Sequence, residues 1–273
     1  MIKDITIGQY FPGDTVIHRL DPRAKIILTI VYIVGIFLAK NLWAFLFLIA
    51  SAAALVLISG ISAKTLLKSM KPLTFVLPVT TFFNTFWTEG EILLFSVWKI
   101  KVYFEGVVYA IMMIIRITAL LVGTTIILTY TTSPIMLTDG LEQLLAPLAK
   151  IKLPVHEFSM MMTIALRFIP TLIEETDKIM SAQKARGADF SNGSLAKRAK
   201  ALIPILIPLF ISAFRRADEL ATAMECRCYR GGEGRTRMTI LKFTAKDILA
   251  FVIFGIFVAG VVMLNKIPCA ISL

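Results

Sequence analysis

The apolar residues of this chain occur in long runs whose ends are marked by charged residues. Five uncharged runs of 14 to 23 residues lie between Lys25 and Lys40, Lys40 and Lys64, Lys71 and Glu89, Arg116 and Asp139, and Asp247 and Lys266. A helix needs about 20 mostly apolar residues to cross the hydrocarbon core of a bilayer. The sequence therefore predicts a membrane protein with five transmembrane helices.

The composition excludes an ordinary soluble globule and a disordered chain. Hydrophobic residues make up 57% and charged residues 17% of the sequence, and the mean hydropathy is +0.79. A soluble domain has about 45–50% apolar and about 25% charged residues.

Two of the predicted spans need comment. The lysines that flank the first and shortest run can snorkel to the interface. The fourth span is expected to begin near Glu105 and to hold Arg116. For Arg116 a structural role, either an interhelical pair or a snorkelling contact with a lipid headgroup, is favoured over a solute site.

The distribution of Lys and Arg predicts the orientation in the membrane. Positive residues concentrate in the N-terminal stretch and in the loop 61–71, while the loop after the first run is short. Because cytoplasmic loops carry an excess of Lys and Arg, we expect a cytoplasmic N-terminus. The predicted fold is all-α, with a weak hairpin pattern at 92–104. Its parts are a cytoplasmic N-terminal segment at 1–24, transmembrane helices 1–4 at 25–131, a cytoplasmic helical domain at 132–243, transmembrane helix 5 at 244–265 and an exoplasmic tail at 266–273.

Two long amphipathic helices are predicted in the cytoplasmic domain, at 154–187 and 201–228, related by an offset of 41 residues. Gly187 is expected to end the first helix. The second contains Pro204 and Pro208, and we expect its apolar first half to lie, kinked, at the membrane interface.

Each of these helices ends in an arginine between small residues. The tripeptides are Ala185-Arg186-Gly187 and Cys226-Arg227-Cys228. Small neighbours allow close approach of another surface, and the guanidinium offers a fixed fork of donors to carboxylates or carbonyls. The alternative is that the arginines cap their own helices and complement the helix dipole.

The stretch 181–237 is basic, with eleven Lys or Arg against five Asp or Glu. Either anionic lipid headgroups or an acidic protein partner accounts for this charge. Nucleic acid is not expected, since neither an aromatic-rich nor a helix-turn-helix pattern accompanies the basic residues. A metal site is not expected, because Cys226 and Cys228 lack a second pair of zinc ligands and neither histidine is near them in sequence.

Four stretches of the sequence together form a recognisable signature. They are 8–25 (from Gly8-Gln9-Tyr10 to Ala24-Lys25), 131–141, Ala185-Arg186-Gly187 and Cys226-Arg227-Cys228. They resemble the transmembrane components of energy-coupling-factor (ECF) transporters, which are vitamin-importing relatives of ABC transporters. The resemblance covers essentially the whole chain, and the N-terminal stretch is its most specific part; at 226 and 228 the family more often has alanine and glycine in place of the cysteines.

The resemblance implies that 132–243 is a coupling domain between proteins. Residues 185–187 and 226–228 would dock on two ABC ATPase subunits, which bind the ATP; the chain itself would be a non-catalytic subunit without a cofactor. Met160, Met161 and Met162 would help to dock a separate membrane protein that captures the vitamin. The long N-terminal signature favours a component shared among capture proteins over a dedicated cobalt, nickel or biotin system. The unequal Arg tripeptides favour two different ATPases. The resemblance also places the chain in the plasma membrane of a prokaryote.

The signature residues His18, Asp21, Pro22 and Arg23 precede the first span. A polar cluster that anchors this segment at the interface is the expected role, with Pro22 at the start of the first helix.

Two other classes of protein compete with this interpretation. Asp139-Gly140 resembles the start of a CDP-alcohol phosphotransferase motif, but the Ala-Arg and aspartates that would hold a metal do not follow. A secondary carrier would need inverted repeats, into which five spans and one large cytoplasmic domain do not divide. The chain also lacks the G-x-x-x-x-G-K-[ST] phosphate loop, so ATP hydrolysis would belong to a partner.

Overall fold

The computed structural model describes most of the chain, and helices dominate it, which confirms the all-α class. It describes residues 10–11, 13–71, 73–88, 93–97, 100–151, 154–188, 190, 194–231 and 241–267. These residues form two compact units, one of 10–140 with 241–267 and one of 141–231. The first nine residues, the glycine-rich stretch after Gly231 and the predicted tail beyond 267 lie outside the described residues.

The helices follow the predicted runs closely. They are α1 (Pro22–Leu38), α2 (Leu42–Ser59), α3 (Ala63–Ser69), α4 (Leu73–Trp87), α5 (Phe104–Thr124, continued by a π-helix at Thr125–Tyr130), α6 (Pro134–Leu145, followed by a 3-10 helix at Ala146–Ile151), α7 (Val155–Ala185), α8 (Leu195–Cys226) and α9 (Ala245–Leu264).

Three of the described helices are long and apolar enough to cross a membrane: α2, α5 with its π-helical continuation, and α9. The apolar helix α4 is shorter, with 15 residues. Helix α1 has 17 residues and is therefore about 25 Å long. The five predicted spans overlap α1, α2, α4, α5 and α9, and three of these helices, α2, α5 and α9, are confirmed as long and apolar enough to cross a membrane.

Local capping explains where the first and last of these helices begin. The Asp21 carboxylate accepts a hydrogen bond from the Arg23 backbone N–H, and Pro22 occupies the first turn, so α1 begins at Pro22 as predicted. At α9, Thr244 and Asp247 form a reciprocal capping box.

Small residues allow close packing among the membrane helices. The Tyr32 hydroxyl of α1 donates to the Ala119 carbonyl of α5 at 2.9 Å. A Cβ atom at Gly123 would lie 2.0 Å from the Tyr32 ring, and one at Gly35 would lie 2.6 Å from Phe257 of α9. Such contacts are the usual means by which transmembrane helices associate, since burial away from water contributes little within lipid.

Arg116 of α5 makes the expected interhelical contact. Its guanidinium donates to the Ala39 carbonyl at 2.6 Å and lies 5.2 Å from the centre of the Phe45 ring. The Asn265 side chain donates to the neighbouring Leu38 carbonyl. Two carbonyls that the end of α1 leaves without an intrahelical partner are therefore satisfied by other parts of the unit.

A short antiparallel hairpin precedes α5, at the position of the predicted one. Its strands are β1 (Leu93–Val97) and β2 (Ile100–Tyr103), with Ser96 opposite Lys101 and a register irregularity between Leu93 and Phe95. This hairpin is the exception to the helical structure of the described residues.

The second unit contains α7 and α8 and the C-terminal part of α6. Helix α7 confirms the predicted first long helix within two residues of each end. Helix α8 starts at Leu195 rather than at 201, because the Ala, Lys and Arg residues of 196–200 are strong helix formers. The helix continues through Pro204 and Pro208.

Candidate functional site

The C-terminal end of α7 is closed by a Schellman motif. The Gly187 N–H donates to the Lys184 carbonyl, and the Ala188 N–H donates to the Gln183 carbonyl, both at 3.0 Å. Gly187 has φ +87°, in the left-handed region that this motif requires. The predicted end of the helix is thus confirmed, and Arg186 is the last residue before the left-handed turn.

The C-terminal end of α8 repeats this hydrogen-bond pattern. The Cys228 N–H donates to the Glu225 carbonyl at 2.9 Å, and the Tyr229 N–H donates to the Met224 carbonyl at 3.1 Å. Cys228 occupies the left-handed position, with φ +55°. Arg227 therefore has the same place in its helix end as Arg186, 41 residues later.

Both arginine side chains are exposed and available. Within the described residues, neither the Arg186 nor the Arg227 guanidinium forms a hydrogen bond or an ion pair, so neither caps its own helix by its side chain. Each presents a planar set of donors that suits a carboxylate or two carbonyl oxygens.

The residues beside the arginines leave space around them. Ala185, Gly187, Cys226 and Cys228 are all exposed, and both cysteines are free thiols. In the part of the chain that the structure describes, no group of three or more His, Cys, Asp or Glu side chains is arranged to hold a metal.

Helices α7 and α8 run in opposite directions where they touch. The Arg216 guanidinium of α8 donates to the Glu175 carboxylate of α7 at 2.8 Å, and these positions are themselves 41 residues apart. Residues nearer the start of α7 lie against residues nearer the end of α8, around Phe168 and Met224. The offset seen in the sequence therefore relates positions that meet at the centre of the helix pair.

The methionines predicted to dock a membrane partner lie near the start of α7. Met161 and Met162 are exposed, whereas Met160 is half-buried. The apolar first half of α8, which the sequence predicted to lie at the membrane interface, presents a larger exposed apolar surface. It comprises Leu202, Ile203, Leu206, Ile207, Phe210, Ile211 and Phe214.

The N-terminal signature forms a polar anchor in the first unit. Arg23 pairs with Asp21 at 3.0 Å, donates to the Leu241 carbonyl at 2.9 Å and lies 4.5 Å from the centre of the Phe243 ring. The Asp21 N–H donates to the buried Asp247 carboxylate at 2.8 Å. The signature thereby connects the start of α1 to the start of α9.

His18 does not join this cluster through its ring. The ring is hydrogen-bonded to the Thr15 hydroxyl at 2.6 Å and to the Phe11 carbonyl at 3.0 Å. Its backbone carbonyl instead accepts from the Nζ of Lys25, a buried lysine that also donates to the Thr131 carbonyl at 2.7 Å. His18 therefore shapes the turn before α1, while Lys25 ties that turn to the end of the π-helix.

Comparison with known proteins identifies the family. Residues 13–238 match the model of the CbiQ family, which is described as cobalt transport protein. The chain belongs to this family.

The curated relatives of this CbiQ-family chain match it almost from end to end. A protein of Ruminiclostridium cellulolyticum is 53% identical over 98% of this chain and 99% of its own length. Proteins of Bacillus subtilis and Lactococcus lactis subsp. cremoris are 47% identical (90% of this chain, 93% of the relative) and 44% identical (97% and 100%). All three are named energy-coupling factor transporter transmembrane protein EcfT. The chain is thus a transmembrane component of an ECF transporter and resides in a membrane.

Two residues of the anchor were missed by sequence reasoning. The sequence placed Lys25 in the N-terminal signature and at the end of an apolar run, and Asp247 only at the end of a run, yet both are buried and hydrogen-bonded. Their position at the boundary of a hydrophobic run was the available indication, because a charge there faces either water or a buried partner. The family match ends at residue 238, before Asp247, whereas the relatives extend over α9.

Proposed function

We propose that the chain is the coupling subunit of an ECF-type ABC importer. It transmits the ATP-driven movement of two ATPase subunits to a separate membrane protein that captures the solute. The observation that carries this proposal is the pair of helix ends with the same hydrogen-bond pattern, each presenting an exposed arginine without a partner among the described residues. Two equivalent cationic ends suit a partner that itself consists of two related subunits.

Each arginine docks on one ATPase subunit. The Schellman turn fixes the backbone at Arg186 and Arg227, so that less conformational freedom is lost when the guanidinium binds. The flanking residues 185, 187, 226 and 228 are small and exposed, which permits the helix end to enter a groove. Closure of the ATPase dimer around ATP then displaces α7 and α8.

The exposed apolar surfaces of α7 and α8 dock the capture protein. Met161, Met162 and the half-buried Met160 lie on α7, and α8 adds an apolar surface between residues 202 and 214. Large exposed apolar surfaces mark interaction sites, and methionine adapts to partners of different shape. Such a surface fits a component that is shared among several capture proteins.

ATP is bound by the partner subunits rather than by this chain. The sequence contains no phosphate loop of the type G-x-x-x-x-G-K-[ST]. We therefore assign no catalytic residue and no cofactor to the chain.

The orientation follows from the positive charge. The basic stretch 181–237 and the lysines and arginines before α1 lie on the cytoplasmic side, where the ATPases have access to ATP. The N-terminus and α7–α8 are accordingly cytoplasmic, in the plasma membrane of a prokaryotic cell, and the basic surface also contacts anionic lipids.

The imported solutes are vitamins or similar micronutrients, selected by the capture protein. The family description mentions cobalt, whereas the close relatives carry a general transporter name. The long N-terminal signature supports the shared type of component.

Co-purification tests the ATPase-docking role. The tagged chain and its Arg186→Glu, Arg227→Glu and double variants are isolated in detergent from the native cell, and the ATPase subunits retained are quantified. Central interface arginines cost roughly 2–4 kcal/mol on truncation, so the double variant should bind about a thousand-fold more weakly or worse.

The control is Lys200→Glu, an exposed charge reversal on the same helix as Arg227. It should retain nearly all of the ATPase subunits. If the arginine variants and Lys200→Glu lose the ATPases equally, or if wild type never retains them, the proposal is wrong.

A further inference from the structure

A groove between α7 and α8 places a second arginine beside Arg227. The groove has a volume of about 370 Å³ and is lined by Arg167 and Arg227 together with the apolar side chains of Ile164, Phe168, Leu220 and Met224. Arg167 lies on α7 and is exposed, as is Arg227 at the end of α8. One continuous recess therefore combines an apolar floor with two cationic side chains.

The two arginines of the groove have no acidic counterpart there. The groove is lined by no carboxylate among the described residues, and neither arginine forms an ion pair within them. The ion pair nearer the centre of the helix pair, Arg216 with Glu175, is already formed. Like charges that share a site repel each other, so binding a carboxylate between Arg167 and Arg227 is favourable.

The position near Arg186 that corresponds to Arg167 carries a different type of residue. The offset of 41 that relates Arg186 to Arg227 relates Arg167 to Pro208. An uncharged proline thus stands where the Arg227 end has its second arginine. The two equivalent helix ends are therefore unequal in the charge that they present to a partner.

We infer that this groove receives an acidic segment with an apolar side chain from the ATPase subunit that docks on Arg227. The apolar side chain packs on the floor of the groove, and a carboxylate binds between Arg167 and Arg227. The inference rests on the proposed function, because Arg227 belongs both to the groove and to the docking end. It makes the two ATPase sites unequal, so that subunits of different surface chemistry can be told apart.

Affinity measurements on the complete complex test the role of Arg167. The chain is placed in lipid nanodiscs, and binding of its ATPase subunits is measured for wild type, Arg167→Gln and the matched control Arg215→Gln. Arg215 is also an exposed arginine, on α8, but does not line the groove. We expect Arg167→Gln to weaken binding about ten-fold or more and to reduce its salt dependence, while Arg215→Gln changes it little.

A double-mutant cycle separates this inference from the proposed function. Arg167→Gln and Arg227→Gln should be non-additive, because both contact one carboxylate, whereas Arg167→Gln and Arg186→Gln should be additive. If Arg227→Gln weakens binding but Arg167→Gln matches Arg215→Gln, the groove inference fails and the coupling function stands. If neither Arg186→Gln nor Arg227→Gln weakens binding, both fail.

Photo-crosslinking identifies the occupant directly. A benzophenone amino acid is introduced at Ala223, which lines the groove, or at the neighbouring exposed Thr222, which does not. In the assembled complex, an adduct from position 223 to an ATPase subunit, weaker or absent from position 222, is expected. Adducts only to lipid, to the capture protein or to a second copy of the chain would overturn the inference.

Discussion

At the scale of single residues, buried charges hold the first unit together at the start of α1 and α9. Asp247 is 1% exposed and accepts hydrogen bonds from the backbone N–H groups of Asp21 and Thr244. Lys25 is 2% exposed and donates to two backbone carbonyls. A buried charge is tolerated only when it is paired and hydrogen-bonded, so the loss of one partner is costly.

Asp247→Asn tests this anchor. Asparagine has one acceptor oxygen for the two backbone N–H donors, so its NH2 group must face one of them. We expect the variant to lose about 1–3 kcal/mol of stability, seen as a lower thermal unfolding midpoint in detergent. The adjacent exposed Lys246→Gln should unfold like wild type. Equal midpoints for Asp247→Asn and wild type would show that the anchor does not stabilise the fold.

Cys228→Gly tests the geometry of the α8 end. A left-handed conformation costs an ordinary residue about 1–2 kcal/mol, of which the greater freedom of an unfolded glycine offsets about half. The variant should therefore be slightly more stable and should still bind the ATPase subunits. At the α7 end, Gly187→Ala should have the opposite effect on stability.

Loss of ATPase binding by Cys228→Gly would mean that the thiol itself contacts the partner. A decrease in its stability would contradict the strained conformation at this position.

The role of a residue could be predicted where the residues that determine it are its neighbours in sequence, and could not be predicted where its partner is distant in sequence. Arg186 and Arg227 could be placed at helix ends because glycine, small residues and the end of an apolar stripe are adjacent in sequence. The contact between Asp21 and Asp247 joins residues 226 positions apart, and nothing near either residue indicates the other. The backbone acceptor of Arg116 was hidden for the same reason, although burial of the charge required some acceptor.

At the scale of elements, the apolar runs predicted the positions of α1, α2, α4, α5 and α9, because the bilayer sets the length of apolar chain that a spanning helix needs. The start of α8 was predicted less well, because the helix begins at Leu195 rather than at 201, although it contains Pro204 and Pro208 as predicted. The apolar pattern also could not show which faces of the membrane helices contact one another. Contacts at Gly123 and Gly35 place α1 against α5 and α9.

Gly123→Ala tests the packing of α1 on α5. The added Cβ would lie 2.0 Å from the Tyr32 ring, so the helices must separate or the ring must move. Overpacking of this kind costs about 1–3 kcal/mol. We expect a lower unfolding midpoint in detergent, partly restored by the additional change Tyr32→Leu.

Gly255→Ala is the matched control in α9, since a Cβ there meets no described residue within 4 Å. It should be neutral or slightly stabilising, because alanine is the better helix former. Equal effects of the two glycine substitutions would contradict the close contact between α1 and α5.

At the scale of the whole molecule, the chain combines a membrane unit with a helical unit that presents two arginine ends. Helix α6 begins in the first unit and ends in the second. In the second unit, its residue Glu142 accepts from Ser159 at 2.7 Å and lies 3.0 Å from His156, near the start of α7. Under the proposed function, α6 is therefore the covalent connection between α7 and the first unit.

Solute uptake by proteoliposomes tests the central claim most directly. Three preparations are reconstituted: the complete complex, the complex with Arg186 and Arg227 changed to glutamate, and the chain alone. Uptake of a panel of radiolabelled B vitamins is followed with and without MgATP in the vesicle lumen, which corresponds to the cytoplasm. We predict MgATP-dependent uptake of at least one vitamin by the wild-type complex only. Uptake by the chain alone, or uptake by the complex without ATP, would contradict a coupling subunit and indicate a self-sufficient carrier.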